Sequence, residues 1–244
     1  MRGGVDEAGR GPVLGPLVIA ACAVPVADVP LLVEAGVRDS KLLSAAKRAS
    51  LADWFLSQQR ERAWRACTVV MDAAEIDVAL AHDGLNWLEV RGFARAIEGL
   101  GVTKDIHVVA DACDVNTERF TQRITERLDG WPWPNAKMNS EHKADTNHPV
   151  VAMASVLAKR RRDQSMATMA ERVGFPVGSG YPSDPTTVAA LDGLIGPDGI
   201  DDDVRWSWAT VQRHWAQRYP GSPPLRGQPH RIQRTLFDTN EPRP

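Results

Sequence analysis

Apolar positions recur along this chain in two rhythms. Gly3-Gly4-Val5-Asp6 is a short apolar segment running into a glycine-rich turn. Leu17 to Val24 is continuously apolar and branched, which predicts a strand buried on both faces. Trp64 to Met71 reads as another strand, and Ile106 to Ala110 as a compact one ending at Asp111. Between them the spacing turns helical. Ala45 to Gln59 predicts a helix, and Leu85 to Leu100 sets Leu85, Leu88, Gly92, Ala96, Ile97 and Leu100 along one face. Val150 to Arg172 predicts a long helix, apolar in its first half and basic near Asp163. Val204, Trp208, Val211 and Trp215 recur at four, three and four residues, predicting a helix with an aromatic seam. Strands that come early and interleave with helices argue for an α/β sheet covered by helices. From Pro220 to Pro244 the chain holds six of its seventeen prolines and little apolar content, the composition of a disordered tail.

Length and charge narrow the class. The 244 residues fit one large domain, or one with an appendage. No run approaches the roughly 18 apolar residues that span a bilayer. Val13 to Val26 contains two prolines and lacks both a basic leader and a small-residue cleavage site, unlike a signal peptide. Cys22, Cys67 and Cys113 are odd in number and widely spaced, as reduced core thiols of a cytoplasmic protein would be. The formal net charge of −2 weighs mildly against a nucleic-acid binder. Basic residues nevertheless cluster, at Lys159-Arg160-Arg161-Arg162 and in the tail, and a phosphate backbone meets only one face. On composition alone such a cluster reads first as a solvated helix face.

Three places carry candidate chemistry. Asp6 and Glu7 are neighbours on a strand, so their side chains should face opposite ways. The glycines in Gly9-Arg10-Gly11 let the backbone leave strand geometry at once, which would bring both carboxylates to one end and let backbone amides approach a ligand. Alone, the string reads equally as a polar strand-to-turn junction. Asp111 ends an apolar strand, where ligand crevices form in α/β sheets, although a cap or turn role is commoner for one such residue. Asp114 and Asn116 fit capping better. Asp163, taken singly, is an ordinary ion-paired helical residue. Should these carboxylates converge, their repulsion calls for a hard divalent cation with oxygen ligands. Zinc suits them less, because no His or Cys sits at ligand spacing.

Together these pieces resemble ribonuclease HII, most closely its archaeal branch, from Val5 to about Val211. The ordered strings are DEAGRGPVLGPLV from Asp6, DSKLLSAAKR from Asp39, GLNWLEV from Gly84, DACDVNTERF from Asp111 and EHKAD from Glu141. They continue with the stretch Pro149 to Asp163, GSGYPSDP from Gly178 and RWSWATV from Arg205. The resemblance implies an α/β fold of the ribonuclease H type, a five-stranded mixed sheet flanked by helices. It also implies a catalytic domain over 1–219, including a helical C-terminal extension from about 185, and a tail over 220–244. Asp6, Glu7, Asp111 and Asp163 are then expected to hold two Mg2+ or Mn2+ ions. Gly9, Arg10 and Gly11 would sense a ribose 2′-hydroxyl mainly through backbone groups. Tyr181 would pack against the following sugar, and Lys41 and Lys143 would touch phosphates. His142 is a candidate phosphate contact or a surface histidine. The implied activity is two-metal hydrolysis of the RNA strand of RNA–DNA hybrids, and nicking 5′ of single ribonucleotides in duplex DNA. It leaves 3′-hydroxyl and 5′-phosphate ends, serves ribonucleotide removal, and is carried out by a monomer. Two departures stand out. Arg160 occupies a place where the family pattern favours an apolar residue. Gln233, Leu236 and Phe237 resemble a sliding-clamp-binding peptide, yet Thr239 and Asn240 stand where its paired aromatics are expected.

Overall fold

The computed structural model describes residues 1–37, 43–224 and 226. Its elements are β1 (Arg2–Ala8), β2 (Leu17–Val24), α1 (Val29–Glu34), α2 (Ala45–Gln58), β3 (Arg65–Met71), α3 (Ala73–His82), α4 (Leu85–Glu98) and β4 (His107–Asp111). There follow α5 (Thr117–Thr125), β5 (Lys137–Glu141), α6 (Ala144–Asn147), α7 (Pro149–Val173), α8 (Pro185–Leu194), β6 (Ile195–Gly196), β7 (Gly199–Ile200) and α9 (Ala209–Ala216). The five long strands form one sheet in the order β3-β2-β1-β4-β5. The β3-β2-β1 meander is antiparallel, whereas β1, β4 and β5 run parallel, so the sheet is mixed as expected.

Every residue of β2 is buried, the consequence of its unbroken apolar run. Leu17, Ile19, Ala21 and Ala23 share a core with α3, α4 and α5 through Ile76, Phe93, Ile97 and Phe120. The alternate residues, Val18, Ala20, Cys22 and Val24, pack with α1, α2 and the apolar half of α7. α7 lies so close to β1 that a Cβ at Gly4 would stand 2.4 Å from the Val150 carbonyl. A third cluster joins Val13 and Leu14 to Met166, α8, Val204, Val211 and Trp215.

The C-terminal helix is shorter than its spacing predicts. Val204 is not helical but forms an antiparallel bridge with Leu14, and Trp208 is the N-cap of α9. Its seam residues are apolar because Val204, Val211 and Trp215 fill the third cluster, two of them from one helix and one from a turn. No described helix is long and apolar enough to cross a membrane. Arg226, just inside the tail segment, donates to Asp77 (3.0 Å) and Asp202 (3.1 Å) and stacks on Trp206.

Candidate active site

At the ends of β1 and β4 the sheet opens into a cleft of about 650 Å³, walled on one side by α7 and on another by the Gly178–Tyr181 turn. Asp6, Glu7, Asp111 and Asp163 all line it, with Gly9 and Tyr181. β1 carries Asp6 and Glu7 and ends at Ala8, and the backbone leaves strand geometry at Gly9. Asp6 lies against Ser155 of α7 and Glu7 near Arg10, and both line the cleft.

The electrostatics are strained in one direction. Asp6 is 5% exposed. Burial first, and then the Asp111 charge, push its carboxyl well above the ordinary aspartate range, against the pull of a Ser155 hydrogen bond. Burial also raises Glu7, although Arg10 and Lys159 oppose it, and Glu7 Oε2 is buried with no hydrogen-bond partner among the described residues. Asp111 Oδ1 accepts the Ala144 amide at 2.7 Å, so Asp111 caps α6 while lining the cleft. Asp163 accepts from Arg48 Nη2 at 2.8 Å. Among the described residues no three acidic, histidine or cysteine side chains are grouped tightly enough to grip one ion. The donor set is nonetheless all oxygen, mutually repelling and partly unsatisfied, and that chemistry fits a hard divalent cation.

The loop after β1 is held from below. Gly9 has φ +96°, and a Cβ there would stand 2.6 Å from Arg162 Nε and from the Pro16 carbonyl, so no larger residue fits. Arg205, fully buried, donates to the carbonyls of Gly9 (2.6 Å), Arg10 (3.0 Å) and Gly15 (3.0 Å). Carbonyl and amide point opposite ways across a trans peptide. With the Gly9 and Arg10 carbonyls drawn down to Arg205, the amides of Arg10 and Gly11 face the other way, and the Arg10 amide bonds Glu7. Arg162 donates to the carbonyls of Ser179 and Leu14, each at 3.0 Å, and lies 5.7 Å from the Tyr181 ring. Tyr181 is 42% exposed, and Gly11 stands beside it.

Other expected contacts fall differently. The Arg10 guanidinium is turned away to Glu89 and to Asn86 Oδ1 (2.7 Å). Lys143 is exposed, in a left-handed conformation before α6, and is not among the cleft-lining residues. His142 is likewise exposed. Lys41, Gln233, Leu236 and Phe237 lie outside the described residues. The cleft also takes in Arg48, Asp145 and Ser155, to which the sequence assigns no role, and Lys159 from the basic cluster. Ser155, Lys159 and Asp163 recur every four residues on α7, a one-face spacing that could have singled them out. Nothing comparable marks Arg205 or Glu89, whose partners lie far away in the chain.

The ribonuclease HII family model matches residues 3–211. A ribonuclease HII of Methanothrix thermoacetophila is 40% identical over 211 residues, which is 86% of this chain and 95% of that protein. The crystal structure of ribonuclease H2 from Pyrococcus horikoshii superposes with a TM-score of 0.74 at 32% identity, covering 88% of this chain and 97% of that one. A ribonuclease HII from Archaeoglobus fulgidus, solved in complex with PCNA, gives 0.73 at 33% identity, covering 87% and 96%.

Proposed function

The chain belongs to the ribonuclease HII family, hydrolytic nucleases of the ribonuclease H fold, and from that premise we propose that it nicks duplex DNA 5′ of embedded ribonucleotides and cuts the RNA strand of hybrids. The reading rests on one observation: four carboxylates, the Gly9 loop and Tyr181 converge on a single cleft.

Asp6, Glu7, Asp111 and Asp163 would hold Mg2+ or Mn2+. Bound there, such ions supply an activated water and neutralise charge on the leaving 3′ oxygen. The chain's own residues do the rest. Ser155 and the Glu7 amide, which donates to Asp6 Oδ1 at 2.7 Å, fix the orientation of Asp6. Lys159 and Arg48 bring positive charge to the cleft for the scissile phosphate. The upturned amide of Gly11, beside an Arg10 amide already donated to Glu7, meets the 2′-hydroxyl, and a site that pairs such a hydroxyl rejects its deoxy analogue by about 10⁴ or more. Tyr181, exposed beside Gly11, stacks on the next sugar and favours deoxyribose there. Products with 3′-hydroxyl and 5′-phosphate ends suit ribonucleotide removal during replication and repair. Gln233, Leu236 and Phe237 are the proposed contact with a sliding clamp, supported by the PCNA complex of the Archaeoglobus relative.

The test compares matched duplexes with and without one ribonucleotide. Magnesium- or manganese-dependent nicking of the first alone is expected, stopped by chelator. Asp6→Asn and Asp111→Asn should each lower the rate by about 10³ or more while circular dichroism stays native. Equal rates in wild type and both variants would remove the carboxylates from the mechanism. Equal cutting of the two duplexes would instead indicate a metal nuclease with no ribose sensor. Clamp contact is read separately, by surface plasmon resonance with the clamp immobilised. Phe237→Ala should abolish the signal, and an unchanged signal would rule that contact out.

A further inference from the structure

Glu89 is a buried acid for which the hydrolytic chemistry has no use. It lies mid-way along α4 at 0% exposure, pointing at the loop after β1 and not into the cleft. One of its oxygens binds the Arg10 guanidinium, and the Cys113 thiol lies within hydrogen-bonding reach of the carboxylate. Asn86, one turn earlier on the same helix, holds the second guanidinium nitrogen at 2.7 Å. Burying a carboxylate this completely is costly unless the partner returns something. Here the return is geometric. Arg205 fixes the loop's carbonyls from below and Glu7 takes the Arg10 amide, but these backbone grips lie close together and resist a roll of the loop about their line only weakly. A second anchor on the Arg10 side chain, off that line, stops the roll.

We propose that Glu89, assisted by Asn86, is the positioning residue for sugar discrimination, locking the Arg10 side chain to α4 so that the Arg10 and Gly11 amides keep one orientation toward the cleft. The inference rests on the ribose-sensing role given to that loop above. Arg10 then works as an anchor bolt and not as a phosphate-binding cation, and Glu89 acts on selectivity without touching the substrate.

The experiment measures affinity for a duplex with one ribonucleotide and for its all-DNA twin, in Ca2+ to hold off cleavage, using Glu89→Gln, Arg10→Met and the double variant. Glu89→Gln removes a buried charge at constant volume, so its Tm should match or exceed that of wild type. The ribo-to-deoxy affinity ratio should fall about tenfold, or roughly 1.4 kcal/mol of discrimination, with the all-DNA affinity as internal reference. In the Arg10→Met background, Glu89→Gln should change the ratio no further, and this double variant carries no unpaired buried charge to compromise folding. An unchanged ratio in Glu89→Gln overturns the proposal. So does a fall of the same size with and without the Arg10 guanidinium. A wild-type protein with no preference between the duplexes fails the ribose-sensing reading itself, a result distinct from either.

Discussion

Asp6 is costly to the metal-free fold, and the proposed ion would put that cost to use. Its folded carboxyl binds a proton more tightly than the unfolded chain does. As pH rises above the ordinary aspartate range and through that elevated value, the metal-free native state therefore loses stability relative to the unfolded one. Asp6→Asn should remove this loss, raising the Tm of the metal-free protein near neutral pH by about 2–4 °C for each kcal/mol relieved. The gap between variant and wild type should close as the buffer is acidified, which differential scanning calorimetry in chelator would record. A divalent ion inverts the sign. It must displace the proton, so metal affinity measured by calorimetry should strengthen with rising pH in wild type. Affinity that is flat across pH would mean Asp6 is already ionised in the empty cleft.

Among the elements, the β1–α7 contact sets backbone directly against backbone. Only a hydrogen fits at Gly4 beneath the first turn of α7, since a methyl would lie 2.4–2.5 Å from backbone atoms of Val150 and Val151. Gly4→Ala should push α7 off the sheet at a cost of about 3 kcal/mol, the upper part of the overpacking range, read as a lower urea midpoint. An unchanged midpoint would show that α7 can slide. Because α7 also carries Ser155, Lys159 and Asp163, the variant should lose activity along with stability. The same elements show what periodicity can disclose. β2, α2, α4 and α7 announce themselves, since continuous burial or a 3.6-residue stripe follows directly from what each packs against. β5 does not, because Lys137–Glu141 is a polar edge strand with one fully buried residue. α8 is expected only through the resemblance, which puts helix from about 185, although Asp184-Pro185 is a ready helix start, with Asp184 accepting the Thr186 amide. The over-long C-terminal helix is the reverse error. Val204 matched a helical spacing while belonging to a bridge with Leu14, a partner that no local window contains. At the cleft, residues of strong chemical type were legible, whereas Arg205 and Glu89 were not, because their function lies wholly in tertiary partners.

Across the whole molecule, the segment around Arg205 braces the loop after β1 from behind. Besides the three carbonyls gripped by Arg205, the Gly15 amide donates to the Asp203 carbonyl and the Arg205 amide to Val13, at 2.8 and 2.9 Å. Arg205→Met keeps much of the packing bulk but strands three buried carbonyls, each costing about 1–3 kcal/mol when left unpaired. A loss of about 3 kcal/mol or more is expected in urea melts, together with loss of ribonucleotide preference. Stability lost with preference intact would confine Arg205 to a scaffold role.

The grip of Arg205 on Gly15 spans 190 residues of chain. On a ribosome adding about 5–20 residues per second, the loop therefore emerges about 10–40 s before the residue that shapes it. An unfinished polypeptide therefore carries its four cleft carboxylates before the loop beside them is braced. With the sugar-reading role proposed for that loop, selectivity is acquired later than the acids, only near the end of translation.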